Sequence, residues 1–150
     1  MFALLAACGG AQNPATTTCP RDATVTVASQ DDVDRLATCV TLTQLTIRTG
    51  MPLDLAPLAT LERVDTLAVG PTLALDHVSF PALREVGELT VQSNSSVTGV
   101  YLPQLGAARS IVIAANQDTT TVSMPRLVRV GSLRIEENGS LEIVVLSTLA

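Results

Sequence analysis

The amino-acid sequence predicts a parallel β-solenoid, an all-β fold in which coils of 22 residues stack on one another. The first observation is a gapless repeat from position 45 onward, because a fixed period of this size is typical of solenoids. The second is a pair of apolar columns two residues apart, which indicates a short strand with one buried face in every coil. The two columns are Leu45, Leu67, Leu89, Ile111, Leu133 and Ile47, Val69, Val91, Ile113, Ile135.

A second alternating segment follows in each coil. Its apolar columns are Val78, Val100, Val122, Val144 and Phe80, Leu102, Met124, Leu146. β-Branched and aromatic residues favour a strand over a helix at this place. Proline ends the segment in three coils, at Pro81, Pro103 and Pro125. Two strands per coil therefore predict two stacked parallel sheets.

An asparagine recurs five residues after the start of the later coils, at Asn94, Asn116 and Asn138. Gly50 and Thr72 hold the same place in the two earlier coils. Because amides can both donate and accept, this column predicts a stacked ladder in which each side chain bonds the next coil. We interpret the column as structural rather than as a ligand site.

The segment before the coils predicts a cap over residues 19–44, which leaves residues 45–150 to the coils. Residues 24–27 form an alternating strand, and Ser29 with Asp32 forms a capping box for a short helix that runs to about Thr38. We expect the helix to bury Val33, Leu36 and Ala37. Such a unit would cover the apolar end of the solenoid. The other end has no polar unit, since Ala150 falls inside an incomplete fifth coil; we expect a continuation of the chain or a partner there.

The three cysteines divide into one candidate lipid site and one candidate disulfide. Cys19 and Cys39 flank the predicted cap helix, and a bridge between them fits an oxidising compartment. It would stabilise the fold by roughly 3 kcal/mol on the chain-entropy account. The spacing does not suit zinc, which needs more ligands.

The N-terminal stretch from Leu5 to Cys8 resembles a bacterial lipobox, which implies acylation of the Cys8 sulfur. Residues 1–8 lack the positive segment and the length of a complete signal peptide, so we interpret them as a lipoprotein signal-peptide remnant. Residues 9–18 are polar and form a tether. The expected location is the cell envelope, at the outer membrane or cell surface, with the lipid as the only membrane contact.

The coils and the cap together resemble the receptor L-domain, a leucine-rich β-helix. The matching features are Cys19 before the helix, Cys39 at its end, the first strand at residues 45–47, and a later string of Asn94, Val97, Val100, Tyr101, Leu102, Pro103, Gln104 and Leu105. A generic leucine-rich repeat is the alternative, because Val130, Leu133, Ile135 and Asn138 also fit its pattern. The L-domain resemblance, over residues 19–150, implies recognition of a protein or glycan, or envelope architecture, without catalysis.

The composition disfavours several classes of function. The formal net charge is −5, with nine arginines, no lysine and no basic cluster, which argues against nucleic acid. His77 is the single histidine and is expected on the surface, so zinc hydrolysis and Ser-His-Asp catalysis are disfavoured. We predict no enzyme, no cofactor and no metal site. The alternative is a carbohydrate-active β-helix enzyme using Asp54 and Asp76, which share a column in adjacent coils.

The outward columns of the first predicted strand give a candidate binding face. Small side chains lie at its middle, where a partner could approach closely. Its residues are Ala68, Thr90, Gln92, Val112 and Ala114.

Overall fold

The protein is a parallel β-solenoid with coils of about 22 residues, as the sequence predicts. It has about six turns rather than the five coils counted from the repeat, because the strand of the N-terminal cap also pairs with the first coil. The computed structural model describes residue 19 and residues 24–147. The helices are α1 (Gln30–Asp34) and a 3-10 helix, η1 (Ala56–Thr60). The strands are β1 (Thr24–Val27), β2 (Thr41–Thr49), β3 (Arg63–Thr72), β4 (His77–Ser79), β5 (Glu85–Gln92), β6 (Gly99–Tyr101), β7 (Ala107–Ala114), β8 (Thr121–Met124), β9 (Arg129–Glu136) and β10 (Ile143–Leu146).

The strands form two parallel sheets, one on each side of the coil. Sheet 1 has six strands in the order β9-β7-β5-β3-β2-β1, and sheet 2 has four in the order β10-β8-β6-β4. Equivalent residues pair between neighbouring coils, for example Leu67 with Leu89 and Leu89 with Ile111. The apolar columns predicted from the repeat therefore stack into one continuous core.

The asparagine ladder is formed as predicted. Nδ2 of Asn94 donates to Oδ1 of Asn116 at 2.8 Å, and Nδ2 of Asn116 donates to Oδ1 of Asn138 at 3.0 Å. The hydroxyl of Thr72 begins the ladder by donating to Oδ1 of Asn94 at 2.7 Å. Each asparagine also donates to a carbonyl 25 residues back, as Asn116 does to Val91 at 2.9 Å. The column thus satisfies buried polar groups that would otherwise lack partners.

The residue before each ladder asparagine has a left-handed backbone. Ser93, Ala115 and Glu137 have φ between 56° and 62°. Non-glycine residues seldom adopt this region. This conformation turns the chain sharply after the sheet 1 strand, so that the asparagine side chain points into the core. The backbone of each of these three coils is locally strained as a result.

The N-terminal cap follows the prediction at its start and departs from it at its end. Ser29 caps α1, and both hydrogen bonds of the capping box with Asp32 are present. The α-helix, however, ends at Asp34 rather than near Thr38. Leu36 and Cys39 there donate backbone hydrogen bonds to acceptors three residues back, at Val33 and Leu36, so tight turns replace the last helical turn. Val33 and Leu36 are buried as expected, and Ala37 only partly.

The described C-terminal coil is more exposed than the coils before it. Its apolar residues Val130, Leu133, Ile135, Leu141 and Leu146 are only partly buried. Val144 is 44% exposed, although Val78, Val100 and Val122 in the same column are fully buried. No described helix is long and apolar enough to cross a membrane.

Candidate recognition surface

A row of mostly small side chains crosses the outer face of sheet 1. Pairing in register aligns one residue from each of five neighbouring strands, namely Thr46, Ala68, Thr90, Val112 and Arg134. We call these five residues the row face. At about 4.8 Å per strand the row is about 19 Å long. Its first four side chains are half-buried and uncharged, and Arg134 at its end is exposed.

The neighbouring row, two residues further along the strands, is less uniform. Gln92 and Glu136 are exposed, as a binding face requires. Ala114 pairs with both of them and is only 4% exposed. Its methyl group lies between two longer side chains, so Ala114, predicted as a member of the binding face, offers a partner little surface. Glu136 also pairs with Arg134, which largely offsets the charge at that end of the row face.

A groove rich in arginine lies on the same sheet, where its strands begin. The groove has a volume of about 320 Å³ and is contributed by four successive coils. We call it the arginine groove and define it by Arg63, Asp65, Glu85, Gly87, Arg109 and Arg129. Nε of Arg63 lies 3.3 Å from Oε1 of Glu85, so these two charges are paired.

The arginine groove is not apparent from the sequence alone. Its arginines are 20 or more residues apart, so no basic cluster appears along the chain. One signal was available: Asp65, Gly87, Arg109 and Gly131 are separated by one full repeat each. The pairing between strands omits this column. For example, Val64 pairs with Val86 and the next pair is Thr66 with Glu88, so Asp65 and Gly87 are not paired. The groove follows this unpaired column.

The two aspartates of the alternative enzyme hypothesis line one shallow depression. Asp54, Asp76, His77 and Ser79 contribute to this depression of about 270 Å³. One carboxylate oxygen of Asp54 accepts a hydrogen bond from the backbone of Ala56 at 2.9 Å. The arrangement thus brings both carboxylates to one surface, while the Asp54 side chain also stabilises its own turn.

The remaining predicted residues have structural positions. His77 is exposed, as predicted, and its ring centroid lies 6.4 Å from that of Tyr101. Cys19 and Cys39 are bonded, with their Cα atoms 5.4 Å apart. Cys8, the predicted lipidation site, lies outside the described residues. Within the described part of the chain, no group of three or more His, Cys, Asp or Glu residues is placed to hold a metal ion.

Comparison with known proteins gives no relative: no family model, no curated protein and no solved structure matches this chain.

Proposed function

We propose that this protein is a non-catalytic recognition module of the bacterial cell envelope that binds a protein or a glycan through the row face, or helps to build the envelope. The observation that carries the proposal is the row face itself. Ala68, Thr90 and Val112 lie side by side on three adjacent strands, with no charge among them. Short side chains let a partner come close to the sheet backbone.

The rigidity of the sheet adds to this argument. The core residues on the inner side of the same strands, such as Leu67, Leu89 and Ile111, are fully buried or nearly so. A face held by such packing changes little when a partner binds, so little conformational entropy is lost on association. Solenoids provide broad, regular faces of this kind for recognition.

The receptor L-domain resemblance and the lipid anchor belong to the same proposal. The cap with its disulfide between Cys19 and Cys39, followed by 22-residue coils, supports an L-domain-like module over a generic leucine-rich repeat. A disulfide is typical of exported proteins. Acylation of Cys8 and the tether of residues 9–18 would then hold the solenoid at the outer membrane or cell surface.

The test compares two arginine substitutions of exposed or half-exposed positions. Thr90→Arg adds a long charged side chain at the centre of the row face and should reduce binding to intact cells or purified envelope at least tenfold. Gln117→Arg makes the same charge change at an exposed position outside it and should bind like the wild type. Equal binding by both variants would refute the row face as the contact. Cell fractionation checks the anchor, since Cys8→Ser should leave the membrane fraction.

A carbohydrate-active enzyme is the second candidate, because Asp54 and Asp76 line the same depression. Paired carboxylates flank the scissile bond in most glycosidases. If this candidate holds, the wild type cleaves an envelope polysaccharide and Asp76→Asn abolishes the cleavage. The recognition proposal instead expects no cleavage and unchanged envelope binding by Asp76→Asn.

A further inference from the structure

We infer that the arginine groove is a second binding site, which takes the carboxylate of an acidic sugar between the guanidinium groups of Arg109 and Arg129. The site is separate from the row face. It goes beyond the proposed function because it assigns a ligand chemistry to a surface that the proposal does not use.

Among the described residues, two cations of the groove are without protein partners. Arg63 and Glu85 offset each other through their ion pair at 3.3 Å. The side chains of Arg109 and Arg129 make neither an ion pair nor a hydrogen bond within residues 24–147. Asp65 is the remaining carboxylate on the groove wall. The groove is therefore locally positive on a chain whose formal net charge is −5.

The glycine in the middle of the groove positions one of these cations. A Cβ atom built on Gly87 would lie 2.5 Å from Nη2 and 3.0 Å from Cζ of Arg109. The guanidinium of Arg109 therefore lies across the backbone of the preceding coil, where any other residue would displace it. Arg109 is exposed and contributes to the wall of the groove.

The groove surface near Arg109 also contains a short side chain, that of Ala107. Ala107 lies in register with Arg129 on one side and with Glu85 on the other. Its short side chain leaves an opening beside Arg129, next to a Glu85 that is already paired with Arg63. Planar guanidinium groups bind carboxylates through two parallel hydrogen bonds, so this opening suits a carboxylate.

The size and the other charges of the groove narrow the ligand class. About 320 Å³ is near the lower limit for small-molecule sites, which begin at about 300 Å³. The negative net charge of the chain disfavours a densely charged polyanion. Asp65 can accept hydrogen bonds from hydroxyl groups, but it would repel a second negative charge. A sugar that carries one carboxylate among hydroxyls, a uronic acid residue of a glycan, fits these conditions.

Calorimetric titration tests the inference with three probes, namely galacturonate, the neutral sugar galactose and inorganic phosphate. The wild type should bind the uronate, and the affinity should fall as salt rises. The neutral sugar and phosphate should bind at least tenfold more weakly. Failure of the wild type to bind uronate at millimolar concentration, or equal binding of the neutral sugar or of phosphate, would overturn the inference.

The variants locate the site. Arg109→Gln and Arg129→Gln should each weaken uronate binding about tenfold, because each removes one charge-assisted contact. Arg48→Gln removes an exposed arginine outside the groove and should bind like the wild type. Thr90→Arg should retain uronate binding, which separates this site from the row face. Equal affinity of the Arg48 and Arg109 variants, with unchanged melting temperatures, would refute the site.

Discussion

The two ends of the described part of the solenoid differ in how their core is covered. At the N-terminal end, α1, the turns after it and the disulfide lie over the first coils, and Val27 and Val33 are fully buried. At the other end of the described chain, β9 and β10 are the edge strands of their sheets, and Val144 is 44% exposed. The repeat is the same at both ends, so burial here depends on the neighbouring coil rather than on the residue type.

This difference shows that the coil is the unit of stability. A residue in an inner coil is packed by its equivalents on both sides, whereas a residue in the last described coil is packed on one side only. Stability in such proteins is close to a sum of nearest-neighbour interfaces. The same apolar side chain should therefore contribute very different amounts in different coils.

The largest expected difference is between two leucines of one column. Leu89 is 1% exposed between two coils, and Leu133 is only partly buried in the last described coil. Leu89→Ala should cost about 3–4 kcal/mol and Leu133→Ala about 1 kcal/mol, since the second side chain loses fewer contacts and leaves a smaller cavity. Urea unfolding measures both values. Equal losses would mean that the last coil is as well covered as an inner one.

The sequence predicted those features that depend on the repeat alone. The apolar columns, the two strands per coil and the asparagine ladder follow from residue spacing, because stacked coils bring equal positions together. The capping box of Ser29 and Asp32 depends on residues three apart in the chain, so it could be predicted equally well. All of these depend on spacing or on close neighbours in the chain.

Features that depend on side-chain direction or length were not predicted. The path of Arg109 over Gly87 becomes visible only when the unpaired column of sheet 1 is seen in three dimensions. The burial of Ala114 follows from the lengths of Gln92 and Glu136 on the neighbouring strands. The end of α1 at Asp34 reflects local turns that helix periodicity does not distinguish from a longer helix.

The second prediction compares two members of the asparagine ladder. Asn116 is fully buried, and its side chain bonds Asn94, Val91 and Asn138, whereas Asn138 is only partly buried and bonds just Asn116 and Ile113 within the described chain. Asn116→Ala leaves buried donors and acceptors without partners on both sides and should cost about 2–4 kcal/mol. Asn138→Ala should cost about 1–2 kcal/mol, because Asn138 is itself only partly buried and water can enter the space that its side chain leaves.

Chemical denaturation of the two asparagine variants provides the measurement. Asn116→Asp serves as a control, since it keeps the accepting oxygen that Asn94 uses while removing the donors to Val91 and Asn138. Its loss at neutral pH should be at least that of Asn116→Ala, because it adds a buried charge. A ladder in which Asn138→Ala cost more than Asn116→Ala would contradict the comparison between inner and last coils.

The smallest expected effect concerns the capped end and its response to pH. The backbone N–H of Ala28 donates to Oδ2 of Asp32 at 2.9 Å, and that of Ser29 donates to the same oxygen at 3.1 Å. The hydrogen bond from Ala28 is the main reason that the pKa of Asp32 lies below its ordinary value of 3.8, with smaller contributions from Ser29 and Arg35. Burial opposes this shift but does not cancel it.

A lowered pKa in the folded protein means that ionised Asp32 stabilises the cap above about pH 4 and that this contribution disappears as the pH falls below that value. Asp32→Asn should therefore lower stability by about 1 kcal/mol at pH 7, the usual size of a capping interaction, and by progressively less as the solution is acidified. Unfolding of both proteins between pH 7 and pH 2.5 measures this difference. Asp118→Asn, at an exposed position in a turn, is the control for the loss of one negative charge. A gap between wild type and Asp32→Asn that stayed constant down to pH 2.5 would show that the carboxylate does not hold the cap, and that packing of Val33 and the disulfide alone close the N-terminal end.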